Sequence, residues 1–291
     1  MATASQWFGG ARPRTLPAAF APVIVGTGLA IGAKTFNGTA ALLALIVAVA
    51  LQVGVNYSND YSDGIRGTDE ARVGPVRLVG QGLAPAAQVK RAAFLSFLVA
   101  MVAGLGLVLI TQKWWLILVG LACVAAAWLY TGGKHPYGYL GLGEIFVFVF
   151  FGLVPVVGTF YVQSLTVTAS SIIAACGVGF LSCAILVTNN LRDIPGDTVS
   201  GKRTLAVRLG ESRTRALYLA LVIGAAACVV LLTVTYSKSA IITLATFALA
   251  VTPVRIVMSG AQGRDLIAAL KGTGTLVLLY GIVLGCALAL N

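Results

Sequence analysis

The sequence predicts an all-α integral membrane protein of about nine transmembrane helices, with the N-terminus cytoplasmic and the C-terminus outside. Three observations predict it. Apolar residues make up 58% of the chain and charged residues only 10%, with a mean hydropathy of +0.95. A soluble domain carries about 25% charged residues, so this chain cannot cover itself with a polar surface. Apolar windows close to the roughly 20 residues that span a bilayer recur at 15–33, 38–56, 92–111, 114–131, 145–163, 169–188, 214–236, 239–258 and 273–290. With the N-terminus inside, every basic residue except Lys34, Lys113 and Lys238 falls on the inner side, together with all nine acids. That asymmetry is what the positive-inside rule requires.

Taken in order, Trp7-Phe8-Gly9-Gly10-Ala11-Arg12-Pro13-Arg14 reads as an interfacial lead-in to the first span, with Trp and Phe at headgroup depth. Arg14, the cation closest to the apolar run, is a candidate to reach an anion inside the bundle. Pro17 and Pro22 in that span are tolerable where neighbours satisfy the freed carbonyls. The second span runs into Asn56-Tyr57-Ser58-Asn59-Asp60-Tyr61-Ser62-Asp63 and on to Glu70, a stretch that holds four of the nine acids. Acids at the mouth of an apolar segment are costly without partners and point to function. On one helix Asn56, Asp60 and Asp63 share a face. Such a cluster suits magnesium, which takes oxygen ligands, keeps several waters and commonly holds a phosphate as well. The plainer alternative is a helix cap and a solvated loop. The connection onward to Lys90 is the longest in the chain, glycine-rich, and carries Gly74-Pro75-Val76-Arg77. Arg77 is suited to a bidentate grip on phosphate, which makes this segment a candidate lid over a diphosphate.

Trp114 and Trp115 read as an outer aromatic belt. Tyr130 and Lys134 are four residues apart at the inner end of the fourth span, although Gly132-Gly133 can end the helix between them. His135 is the only histidine, which excludes a histidine-based metal site. Phe146, Phe148, Phe150 and Phe151 on the fifth span are either lipid-facing packing or the wall of a long apolar pocket. In the second case their ring faces could also stabilise a passing cation. After the sixth span comes Asn189-Asn190-Leu191-Arg192-Asp193-Ile194-Pro195-Gly196-Asp197. Asn189 and Asp193 repeat the spacing of Asn56 and Asp60, and Gly201-Lys202-Arg203 follows as a basic element. The chain therefore reads as one domain, 1–291, a pseudo-repeat whose acidic motifs at 56–70 and 189–197 share a metal site. Pro195 and Gly196 are expected to break the helix between Asp193 and Asp197. The five cysteines form no Cys-x-x-Cys pair, and free cysteine often behaves as a small buried hydrophobe. The net charge of +11 is spread over membrane-proximal loops, which fits lipid headgroups and an anionic substrate rather than nucleic acid.

Asn59-Asp60-x-x-Asp63, the downstream Gly-Pro-x-Arg, Tyr130-x-x-x-Lys134, and Asp193-x-x-x-Asp197 followed by Gly-Lys-Arg-Thr-Leu resemble the UbiA superfamily of intramembrane aromatic prenyltransferases. The finer motifs, Asn-Asp-Tyr-Ser-Asp-Gly-Ile-Arg-Gly-Thr-Asp and His-Pro-Tyr-Gly-Tyr-Leu-Gly-Leu-Gly-Glu, resemble its menaquinone branch. The resemblance implies that Asp60, Asp63, Asp193 and Asp197 hold Mg2+ and the diphosphate of a polyprenyl diphosphate. Asn56, Asn59 and Asn189 would assist, and Lys134, Arg77, Lys202 and Arg203 would hold phosphate oxygens. The implied acceptor is 1,4-dihydroxy-2-naphthoate, and the implied location is the cell membrane with the site facing the cytoplasm. No general base stands out; Tyr130 and Glu144 are the candidates. One departure is that the next acid after Asp63 is Asp69, later than in many members, which leaves the role of Asp69 and Glu70 open. Two other readings remain at this point: a different aromatic acceptor, such as 4-hydroxybenzoate or homogentisate, or a cation-coupled transporter. Transporter sites sit near the bilayer midplane, whereas these acids sit at span ends.

Overall fold

The computed structural model of the chain describes residues 2–67 and 76–291; Asp69, Glu70, Arg72, Gly74 and Pro75 lie outside the described residues. Every secondary element described is helical. A short α1 (Ala4–Gly10) and a 3-10 turn (Pro13–Thr15) precede α2 (Pro17–Gly32), α3 (Gly38–Ile65), α4 (Ala86–Thr111) and α5 (Leu116–Leu129). Next come α6 (Gly143–Phe148) and α7 (Val154–Ser164), joined through a π-helical turn, Val149–Leu153. The chain ends with α8 (Ala169–Val199), α9 (Leu205–Thr235), a 3-10 stretch (Lys238–Ala250) running into α10 (Val251–Met258), and α11 (Leu266–Ala289).

All nine apolar windows fall on helical structure. Seven stretches are long and apolar enough to cross a bilayer, and the pair Ala4–Thr15 and Pro17–Gly32, bent by 50°, makes eight. The remaining window holds only the 14 residues of α5, about 21 Å at 1.5 Å per residue, against a hydrocarbon core of roughly 30 Å. This is an integral membrane protein by every measure of its helices.

Asp60, Asp63, Asp193 and Asp197 lie on helices, not on loops. α3 continues to Ile65, and α8 continues through Pro195 to Val199. The expected break between Asp193 and Asp197 is therefore absent, and the two acids lie one helical turn apart. Proline removes one backbone donor, and within the last turns of a long packed helix that loss does not end it.

Two cores flank the site. The larger joins α2 to α7, α8, α9 and α11 around Leu29, Val178, Tyr218, Leu276 and Tyr280. α2 and α11 cross with almost no side chain between them. A Cβ on Gly28 would sit 2.1 Å from the Gly285 carbonyl oxygen, and one on Gly32 would sit 2.3 Å from that of Leu288. Small residues at four-residue spacing allow this close approach where no hydrophobic force drives association. The smaller core joins Tyr57 of α3, Phe97 of α4 and Ala127 of α5 around Leu78. Between the two cores lies a cavity. The π turn shapes its wall and ends just before Pro155, which cannot donate to the carbonyl four residues back. Gly152 in that turn packs against Gly179 of α8, while Phe150 and Phe151 face the cavity.

Candidate active site

The cavity measures about 400 Å³ and runs from a charged end to an apolar arm. The charged end is built from the far turns of α3 and α8, the segment after residue 75, and the connection between α8 and α9. Asp63, only 2% exposed, sits at its centre. Lys202 Nζ lies 3.2 Å from Asp63 Oδ1, the Arg77 guanidinium lies 4.0 Å from Oδ2, and the Tyr139 hydroxyl donates to Oδ1. Lys202 also stands 4.5 Å over the Tyr139 ring. One turn back along α3, Asn59 accepts from the Thr131 hydroxyl at 2.8 Å. From α8, Asn189, Asn190, Arg192 and Asp197 line the same space.

The arm is lined by Val47 and Leu51 of α3, Leu116 and Val119 of α5, and Val154 and Val162 of α7. Aromatic rings line the passage from the charged end into it. Tyr130 meets Tyr137 edge-on at 5.4 Å, Tyr137 stacks on Phe146 at 3.8 Å, and Phe146 stacks on Phe150 at 6.0 Å. The Tyr137 hydroxyl donates to the Ala126 carbonyl at 2.7 Å, and burial pushes its pKa well up, so the ring stays neutral. Of the two candidates for a general base, Tyr130 lines the cavity. Glu144 lies behind it, accepting from the Asn190 side chain at 2.9 Å.

Asn56, Asn59, Asp63, Tyr130, Arg77, Asn189, Asp197 and Lys202 thus meet as expected. Five expected residues do not reach the cavity, each for a local reason. Asp60 faces the other way and accepts the backbone N–H groups of Leu78 and Val79 at 2.6 and 3.1 Å. Asp193 grips its neighbour Arg192 in a bidentate pair at 2.7 and 2.8 Å. Lys134 is exposed because α5 ends at Leu129, and Gly133, at φ +79°, turns the chain away from the Tyr130 face. Arg203 is exposed too; its backbone N–H donates to the Tyr139 carbonyl and its carbonyl accepts from Arg208. Arg14 is exposed, and Arg12 takes its place.

Arg12 reaches inward because the bend between α1 and α2 puts it in a left-handed conformation, φ 54° and ψ 68°, which is strained for a non-glycine residue. The strain is held by a buried polar knot. The Thr15 hydroxyl donates to the Arg12 carbonyl at 2.9 Å. It also accepts from Gln52 at 2.9 Å and from Asn56 at 3.0 Å, and Asn56 donates to the Ala11 carbonyl at 2.8 Å. Arg12, Gln52, Tyr139, Asn190 and Arg192 are cavity residues that the sequence reading did not assign. One available signal was overlooked: Asn59 and Asp63 carry the same spacing as Asn189 and Asp193. Asn59 and Asp63 line the cavity together with Asn56, whereas Asp60 does not.

Among the described residues no three His, Cys, Asp or Glu side chains converge on one point. Magnesium does not need that many, since one or two carboxylates with substrate phosphates and water commonly hold it. Asp63 and Asp197, with the oxygens of Asn59 and Asn189, fit that requirement.

The family model for the UbiA prenyltransferase family matches residues 19–269. The chain belongs to that family. It is 52% identical, over all of its own length and 98% of the relative's, to the 1,4-dihydroxy-2-naphthoate octaprenyltransferase of Mycobacterium leprae. It is 43% identical to the Escherichia coli protein of the same name, over 77% of this chain and 75% of that one. A UbiA homolog from Archaeoglobus fulgidus, solved with GPP and Mg2+, superposes with a TM-score of 0.70 at 14% identity, covering 96% of this chain and 99% of the other. This family member is therefore an intramembrane prenyltransferase with the family's fold.

Proposed function

We propose that the protein transfers a polyprenyl group from polyprenyl diphosphate to 1,4-dihydroxy-2-naphthoate, with release of CO2 and diphosphate, toward demethylmenaquinone. The observation that carries this reading is the cavity itself, where an ion-lined end opens past a row of aromatic rings into an apolar arm. That is the shape of a polyprenyl diphosphate. Full-length identity to proteins named for this acceptor supports the choice of naphthoate.

In this reading Asp63 and Asp197 hold Mg2+, with Asn59 and Asn189 beside them, and Arg77, Arg192 and Lys202 take diphosphate oxygens. Bound there, the metal would neutralise charge developing on the leaving diphosphate, which is where electrostatic stabilisation is worth most. The residues do the rest. The arm excludes water, and the faces of Tyr130, Tyr137 and Phe146 stabilise positive charge on the allylic carbon as its bond to oxygen breaks. The electron-rich ring carbon that bears the carboxylate forms the new carbon–carbon bond. Departure of the carboxyl group as CO2 returns its electron pair to the ring, so no side chain has to remove a proton there. The step therefore asks nothing of Tyr130 as a base.

The whole chain acts as one domain, its two acid-bearing helix ends serving as the halves of a pseudo-repeat. The basic loop residues favour a plasma-membrane orientation with the charged end facing the cytoplasm. Purified protein in lipid, given labelled polyprenyl diphosphate, tests the proposal. Prenylation of 1,4-dihydroxy-2-naphthoate that needs magnesium and is lost in Asp63→Ala is expected. Turnover of 4-hydroxybenzoate alone would contradict the acceptor, and no diphosphate release with any aromatic would contradict the chemistry.

A further inference from the structure

Asp60 is 1% exposed and lies on α3 between Asn59 and Asp63, yet it takes no part in lining the cavity. Both of its oxygens are committed elsewhere. Oδ2 accepts the Leu78 N–H at 2.6 Å, and Oδ1 accepts the Val79 N–H at 3.1 Å. Charge-assisted bonds of this kind are about twice as strong as neutral ones. The segment they fasten is compact. The Leu78 carbonyl accepts the N–H groups of Leu83 and Ala84 at 2.8 and 2.9 Å, and the Val79 carbonyl accepts that of Gly82 at 2.9 Å. The Leu78 side chain is completely buried, packed where a Cβ on Gly10 would come within 2.9 Å of it. On the other side of Asp60, α3 has Gly64 where any side chain would collide with Val79 at 2.5 Å. α3 is thus shaped as a seat for Leu78 and Val79. The residue immediately before them is Arg77, 6% exposed and lining the cavity.

We propose that Asp60 is a positioning residue rather than a metal ligand: its carboxylate pins the Leu78–Val79 backbone to α3 and so holds Arg77 at the charged end of the cavity, beside Asp63. The proposal rests on the prenyl-diphosphate reading of that end. The two adjacent aspartates on α3 then divide the work. Asp63 faces the ligand, and Asp60 holds the arm that reaches it.

Binding of a non-reacting prenyl thiolodiphosphate, measured at saturating magnesium, tests the division in Asp60→Asn, Arg77→Ala, the double variant and Asp63→Asn. Asp60→Asn is expected to weaken binding about ten- to a hundredfold, the range for residues that orient a ligand-holding group. Arg77→Ala is expected to match it, and the double variant to be no weaker than either single one. The magnesium midpoint is expected to stay at its wild-type value in Asp60→Asn and to rise in Asp63→Asn. A raised midpoint in Asp60→Asn, or losses that add in the double variant, would overturn the proposal. Amide hydrogen exchange on the wild-type protein gives a test that needs no variant to fold. Protection of Leu78 and Val79 should persist when magnesium and the analogue are added; its loss on metal binding would show the carboxylate leaving for the metal and would overturn the proposal. If the wild-type protein does not bind the analogue, the prenyl-transfer reading falls. Exchange at Leu78 and Val79 in Asp60→Asn would then still decide the tether.

Discussion

The acid-bearing ends of α3 and α8 look alike in sequence and are used differently. Each carries two aspartates, and in each only the second, Asp63 or Asp197, lines the cavity. The first aspartate of each pair holds something else. Asp60 holds backbone, the N–H groups of Leu78 and Val79. Asp193 holds a side chain, the guanidinium of Arg192, which itself lines the cavity. On both helices, then, one carboxylate lines the cavity and its neighbour bonds to an arginine that lines it or to the backbone just after one. Under the proposed function, the pair of acidic motifs acts as two cavity-facing acids with two aimed arginines, not as four equivalent metal ligands.

That comparison can be broken experimentally, and the largest effects should come from the cavity-facing pair. Asp63→Ala and Asp197→Ala should each lower kcat/KM by about 10²- to 10³-fold, the scale for removing a group that stabilises leaving-group charge. Removing both should cost much less than the product of the two, because they act on one ligand. Lys202→Met removes the buried ammonium 3.2 Å from Asp63. It should reduce kcat/KM by about 10- to 100-fold, as expected for a hydrogen bond to a charged group worth ~1.5–3 kcal/mol.

The off-cavity acid of α8 gives the next test. Asp193→Asn and Arg192→Ala should each cost about tenfold in prenyl diphosphate affinity, and together little more than one alone, since contacting residues couple. Full additivity would separate Asp193 from Arg192. The arm should respond to size instead of charge. A Cβ on Gly158 would meet nothing within 4 Å, and this glycine lines the cavity. Gly158→Leu should lower kcat/KM for a long-chain diphosphate by up to about tenfold, the worth of about 1.4 kcal/mol of apolar fit, while sparing the geranyl substrate. Smallest of all, Lys134→Ala and Arg203→Ala should change kcat/KM by less than about twofold, because both side chains are exposed and surface charges contribute little.

Much of this was legible in the chain because bilayer burial leaves an unambiguous trace. Hydropathy found the seven long apolar stretches and the bent pair before them, while the window at 114–131 holds only the short α5. The spacing of Asn, Asp, Arg and Lys found the charged end, but not which face of α3 it uses. Asn56 and Asp60 satisfy the same spacing as Asn59 and Asp63, yet Asn56 lines the cavity and Asp60 is turned to the Leu78 and Val79 amides. Arg12 was hidden because a residue before proline is biased toward extended backbone. Its left-handed turn is imposed by Thr15, Gln52 and Asn56, which lie on two different helices. Lys134 misled for the opposite reason. Its four-residue distance from Tyr130 means something only on a continuous helix, and Gly132-Gly133 ends that helix first. Pro195 misled in the same way, as a local breaker overridden by the tertiary packing of α8.

The division of the four aspartates is tested most directly by locating the metal. Crystals grown with a geranyl thiolodiphosphate and Mn2+ in place of magnesium would report the ions by anomalous scattering. Each ion is expected within coordination distance of an Asp63 or Asp197 oxygen, with Asp60 still bonded to the Leu78 and Val79 amides. An ion coordinated by Asp60 or Asp193 would contradict that division.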